Sequence, residues 1–197
     1  SGSAGTGKTV VAIHRAAYLY KKNPTAMILL TTFSAALAGE LKRKLLILLG
    51  QNTLPPNIIT LHLEGIAAQL STSSKIPLNI ASSEELTKLF EQATESLDIS
   101  DFTIGFLLSE WIHVVDAWQL RTWEAYRDVK RLGRKTRIGG TQREKLWLIF
   151  EYLWATLDSQ TLTTWASVFE RLARDENISS RFDHVIIDEA QDISVTE

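Results

Sequence analysis

Two strings hold the residue types that can do chemistry: Gly2-Ser3-Ala4-Gly5-Thr6-Gly7-Lys8-Thr9 at the start of the chain, and Asp188-Glu189-Ala190-Gln191-Asp192 near its end. The first fits G-x-x-x-x-G-K-[ST], a phosphate-binding loop. Its glycines let successive backbone N–H groups turn toward phosphate oxygens, and the helix behind it aims its positive end at the same anion. In this pattern Gly2, Ser3, Ala4, Gly5, Thr6 and Gly7 cradle the phosphates. Lys8 reaches the β- and γ-phosphates, and the Thr9 hydroxyl holds Mg²⁺. The second string follows Val185-Ile186-Ile187, an apolar run that reads as a buried strand. Asp188, at the carboxyl end of that strand, completes the metal site, and Glu189 is placed to orient and deprotonate an attacking water. An Asp-Glu pair alone is equally a capped strand end. Paired with the loop, it forms the second half of a nucleoside triphosphatase site.

These residues need a scaffold. Residues 9–22 are predicted to form a helix apolar nearly all round and therefore buried, ended by Asn23-Pro24. Met27 to Leu30 reads as a buried parallel strand. Ser34 opens a second helix, with Leu37, Leu41, Leu45 and Leu48 or Leu49 on one face and Lys42, Arg43 and Lys44 as a solvated cluster. Gly50 and Pro55-Pro56 break the chain, Ile58 to Leu61 is a short strand, and a helix follows to about Leu70. This alternation predicts an α/β fold with a parallel sheet. Ser71 to Ser74 reads as a linker. From Ser82 to Glu176 only helical periodicity remains. Ser83 caps a helix through Leu97, residues 102–119 carry apolar positions at helical spacing, and Thr141 with Glu144 forms a capping box before a stripe from Leu146 to Leu157. Thr163 or Thr164 caps a last helix through about Ala173. All six Trp fall in this region and read mainly as core. Phe182 to Asp188 returns to a buried strand. The organisation expected is an incomplete P-loop NTPase (RecA-like) sheet in residues 1–72 and 181–197, interrupted by an all-helical insertion over residues 73–180.

With 197 residues and 45% apolar composition, the chain can bury one core or one core with a smaller second. A net charge of −2 offers no global argument for nucleic acid, but the charge is zoned. Residues 111–150 carry nine Lys or Arg against four Asp or Glu, concentrated between Arg127 and Lys145. That stretch is either a solvated face or a phosphate-binding loop. Cysteine is absent, which excludes disulfides and thiolate metal sites. No apolar run approaches a membrane span and there is no signal peptide, so the expected location is cytoplasmic. The chain starts inside the phosphate loop, without methionine or the strand that precedes such a loop, which leads to the expectation of a piece of a longer protein.

Two further strings lie in order between the first pair. Thr31-Thr32-Phe33-Ser34-Ala35-Ala36-Leu37-Ala38 spans a strand end and a helix start, and Thr60-Leu61-His62 ends the next strand. The four strings in this order resemble the UvrD/Rep type of superfamily 1 helicase, with the helical insertion where that family carries its 1B subdomain. The resemblance implies ATP and Mg²⁺ as cofactors, with Lys8 and Thr9 on phosphate and metal, Asp188 on the metal and Glu189 as catalytic base. Gln191 is implied to sense the γ-phosphate. Thr31, Phe33, Ser34, Thr60 and His62 are implied to line a track for single-stranded DNA, with RNA as the other candidate. An aromatic at a strand end can stack on an unpaired base and hydroxyls can hold phosphates. Read from the residues alone, Phe33 is equally a helix-start staple and His62 a cap or core histidine. The resemblance further implies 3′-to-5′ unwinding, a role such as DNA repair near the nucleoid, and a second RecA-like domain that supplies arginine fingers. That domain and the adenine-recognition residues are expected outside this chain, so residues 1–197 alone are expected to show negligible turnover. The competing readings are a P-loop ATPase that does not unwind, and a helicase-like partner-binding factor that uses ATP as a switch.

Overall fold

The computed structural model describes residues 7–130, 138–175 and 181–193. Gly2 to Thr6 of the phosphate loop, and the centre of the basic stretch, lie outside the described residues. The chain divides into two compact units, one from Ser1–Ile76 with Arg171–Val195 and one from Pro77–Glu170.

In the first unit, α1 (Lys8–Lys22), β1 (Ile28–Thr32), α2 (Ala35–Leu49), β2 (Ile58–His62) and α3 (Leu63–Ser74) follow in order, and β3 (His184–Ile187) closes the sheet. The three strands are parallel in the order β2-β1-β3. This is the α/β architecture that the strand–helix alternation predicts. The register pairs Leu30 with Thr60 and Ile186, and Thr32 with His62. Because side chains alternate along a strand, Ile28, Leu30, Ile58 and Ile186 share one face. That face packs on Ala12, Ile13, Ala16 and Ala17 of α1 and Leu41 and Leu45 of α2. Ser34 caps α2 by accepting from the Leu37 N–H at 3.3 Å. Gly50 ends it at φ 67°, where the Gln51 N–H reaches the Leu46 carbonyl at 3.1 Å, a left-handed cap that suits glycine.

Three expectations for this unit need correction. Helix α1 is not buried all round: Val10 is 55%, Val11 68% and Tyr18 53% exposed. An apolar run says nothing about how many neighbours it has, and α1 packs through one face only. Strand β3 is likewise half-buried, with Val185 54% and Ile187 44% exposed on the face that α1 and α2 do not cover. Ser71 to Ser74 is helix rather than linker, because α3 continues through it to the left-handed cap at Lys75.

The second unit is helical: α4 (Ser83–Ser96), α5 (Ile104–Glu110) running into a π-helical turn (Trp111–Val115), α6 (Trp123–Asp128) and α7 (Gly140–Ser159), with most of α8 (Trp165–Ala173). Its core is aromatic. Phe90 and Phe150 pack edge-on, and Trp111 lies 4.4 Å from Trp154 between ring centroids. Trp111, Trp147 and Trp154 are buried, whereas Trp118 is 48% exposed. The predicted helix over 102–119 breaks at the π turn, where the Asp116 N–H reaches back five residues to Trp111. Ser82, not Ser83, makes the capping box, with Glu85. Before α7, Gln142 accepts from the Gly139 N–H, so the predicted Thr141–Glu144 box lies inside the helix. Thr164 caps α8 through the Ser167 N–H.

Asp116 ties the π turn to α8. Its Oδ1 accepts from the Thr164 hydroxyl and the Gln119 amide, each at 2.7 Å, with Ser167 bonded to both Thr164 and Gln119. Burial outweighs these bonds and the nearby Arg121, and pushes the carboxyl up to about 6. The native state therefore holds a proton between pH 4 and 6 that the unfolded chain, with a carboxyl near 3.8, has released. Stability from this group is full below that window and is lost as pH rises through it. Asp116→Asn keeps the acceptor and removes the buried charge. It is expected to raise stability at pH 7.5 by about 1–2 kcal/mol and to flatten the dependence between pH 4 and 6. Urea unfolding followed by tryptophan fluorescence at both ends of the window checks this, and an unchanged pH slope would refute it.

Candidate nucleotide and nucleic-acid site

The phosphate-loop glycine next to Lys8 explains how the loop meets its helix. Gly7 precedes α1 at φ 74° and ψ 14°, a left-handed conformation open to glycine and strained for other residues. The chain turns there and frees the first N–H groups of α1. The helix carries no acidic residue in its first turn, so no carboxylate competes with a phosphate for its positive end.

At the other end of the sequence, β3 stops at Ile187 and the Asp188 N–H closes the ladder on the Thr31 carbonyl at 2.8 Å. Asp188 is buried, at 5% exposure. Glu189 then adopts φ 56°, uncommon for a residue with a side chain and typical of functional turns. A short 3₁₀ turn, Ala190–Asp192, follows. This bend brings the Glu189 carboxylate within 3.3 Å of the Lys8 ammonium, so residues 181 positions apart in the chain meet at the carboxyl edge of the sheet. Gln191 donates to the same carboxylate. The Gln191 amide first, and then the Lys8 ammonium, hold the Glu189 carboxyl below the usual carboxylate range, so it is ionised at neutral pH.

The donors suit a magnesium nucleotide. Asp188 offers a buried carboxylate, Thr9 lies in the first turn of α1, and Lys8 places an ammonium beside Glu189. Mg²⁺ takes one or two protein oxygens and completes its shell with phosphate oxygens and water. A bound Mg²⁺ would neutralise the charge on the β- and γ-phosphates.

The expected nucleic-acid residues fall into two groups. Phe33, 43% exposed, stands at the carboxyl end of β1, with Ser34 capping α2 behind it. His62 is half-buried at the end of β2, its ring so close to Gly65 that a Cβ there would sit 3.0 Å from it. Thr31 and Thr60, in contrast, are buried, their hydroxyls without hydrogen-bond partners among the described residues. The register puts them on opposite faces of the sheet, Thr31 level with Leu61 and Thr60 with Leu30. The structure thus gathers Phe33, Ser34 and His62 along one edge and sets Thr31 and Thr60 within the sheet. In the basic stretch, Arg127 pairs with Asp128, Lys145 with Asp101 at 2.8 Å, and Arg143 donates to the carbonyls of Tyr126 and Arg127. Those cations are partly spent on local structure. The Lys145–Asp101 pair spans 44 residues and is invisible to sequence spacing.

A parallel sheet with a glycine–lysine turn before its first helix and an Asp-Glu strand end beside that lysine defines a P-loop NTPase. A family model, the UvrD/REP helicase N-terminal domain, matches residues 1–197. The chain belongs to that family of ATP-dependent helicases. No curated protein matches the sequence. Among the described residues no helix is long and apolar enough to cross a membrane.

Proposed function

We propose that this chain is the ATP-binding part of a translocase that moves 3′-to-5′ on single-stranded DNA and unwinds duplex ahead of it. The observation that carries this reading is the Lys8–Glu189 pair, a phosphate-binding cation and a water-activating carboxylate brought together at the carboxyl edge of a parallel sheet. Ligands bind α/β sheets at that edge. In this reading Lys8 and Thr9 take the phosphates and Mg²⁺, Asp188 takes the metal, Glu189 is the base, and Gln191 orients Glu189 and answers to the γ-phosphate. A second RecA-like domain closes on the nucleotide with its arginine fingers. Phe33 stacks on an unpaired base and His62 borders the same track, with Ser34 as a hydroxyl contact. Thr31 and Thr60 shape the strand ends from within.

The test is polarity with a stacking variant. The full-length protein is expected to hydrolyse ATP faster with single-stranded DNA than without it, and to unwind a duplex with a 3′ tail but not one with a 5′ tail. Phe33→Ala is expected to weaken single-strand affinity about tenfold or more, while nucleotide affinity stays put. Equal unwinding from either tail would overturn the direction, and an unstimulated ATPase would overturn the nucleic-acid reading.

A further inference from the structure

Thr32 ends β1, is fully buried, and its hydroxyl has no hydrogen-bond partner among the described residues. Such a group costs stability that a valine of the same shape would not, so its presence asks for a reason. Its position supplies one. Alternation puts Thr32 on the face of Ile28 and Leu30, beneath α1 and α2. The Thr31–Ile187 pair is the last of its ladder, so Asp188 stands one step further, level with Thr32 on the adjoining strand. Exposure along β3 rises at Val185, rises again at Ile187 and drops at Asp188, which sets the Asp188 side chain on that same covered face. The Lys8–Glu189 contact brings the first turn of α1, with Thr9, to this end of the sheet. Of the other unpaired hydroxyls on the sheet, Thr31 lies on the opposite face and Thr60 is level with Leu30 on β2, away from β3.

We propose that Thr32 is a positioning residue of the metal centre, its hydroxyl donating to the Asp188 carboxylate oxygen that the cation leaves free. The inference rests on the ATP-site reading above. It adds an outer contact that holds the carboxylate in the orientation Mg²⁺ requires. The hydroxyl has no partner among the described residues, so its contribution would arise on loading.

Thr32→Val and Thr32→Ser in the full-length protein test it. Two readouts are needed: Tm without nucleotide, and affinity for a fluorescent non-hydrolysable ATP analogue in Mg²⁺ and in EDTA. Thr32→Val is expected to match or exceed the wild-type Tm and keep its EDTA affinity, but to lose about tenfold of the gain that Mg²⁺ confers. Thr32→Ser is expected to keep that gain. A Thr32→Val protein with the full Mg²⁺ gain overturns the inference, as does an equal loss of affinity in EDTA or a lowered Tm that serine does not restore. A wild-type protein that gains nothing from Mg²⁺ overturns the ATP-site reading itself, and this inference with it.

Discussion

In the full-length protein, Glu189→Gln is expected to bind ATP at least as well as the wild type and to lose turnover by roughly 10²- to 10⁴-fold. The carboxylate is ionised at neutral pH, and its only counter-cation among the contacts described above is the phosphate-loop lysine. Glutamine keeps the shape but cannot take a proton from water. It also removes the carboxylate charge 3.3 Å from Lys8, an attraction that a phosphate would otherwise compete with. Binding and turnover should therefore separate, and a folding defect would not separate them. Single-turnover hydrolysis beside equilibrium binding of ATP makes the measurement. Turnover near the wild-type rate would remove Glu189 from the role of base.

Lys8→Ala is expected to fail one step earlier. Loss of a charge-assisted contact to phosphate should weaken nucleotide binding roughly 10- to 100-fold. At saturating nucleotide a further loss of about 10²- to 10³-fold in turnover should remain, because the developing charge on the γ-phosphate loses a stabilising cation. Thermal unfolding of the nucleotide-free protein should barely move, since ion pairs at this degree of exposure contribute little. The Glu189 carboxyl should return toward the ordinary range, though only in part, because Gln191 still donates to it. The two variants thus divide the site: the Lys8 variant impairs capture and chemistry, the Glu189 variant chemistry alone. If Lys8→Ala bound ATP normally, the phosphate loop would be misassigned.

Much of this protein was legible before folding. The phosphate loop, the Asp-Glu string, the two strings between them and the strand–helix order all follow from local residue chemistry. Ser34 anticipates a helix start, and the run from Met27 to Leu30 anticipates a buried parallel strand, because each depends on neighbours within a few residues. What the sequence misjudged depends on more distant ones. Val10, Val11, Tyr18, Val185 and Ile187 are apolar yet exposed, since burial needs a covering element and local pattern does not say whether one exists. The resemblance implies Thr31 and Thr60 as nucleic-acid contacts, and the structure buries both, on opposite faces of the sheet. The Asp116 network and the Lys145–Asp101 pair join residues more than forty apart, beyond the reach of helical or strand periodicity.

By itself the sequence determined which motif residues are present and in what order, because motif chemistry is local. Only the tertiary structure decided which of them meet. The fold carries Glu189 to Lys8 across 181 positions, turns it with a left-handed bend, and sets the Thr32 hydroxyl level with Asp188 on the neighbouring strand. Strand register and helix packing set those distances, and neither can be read from the order of residues.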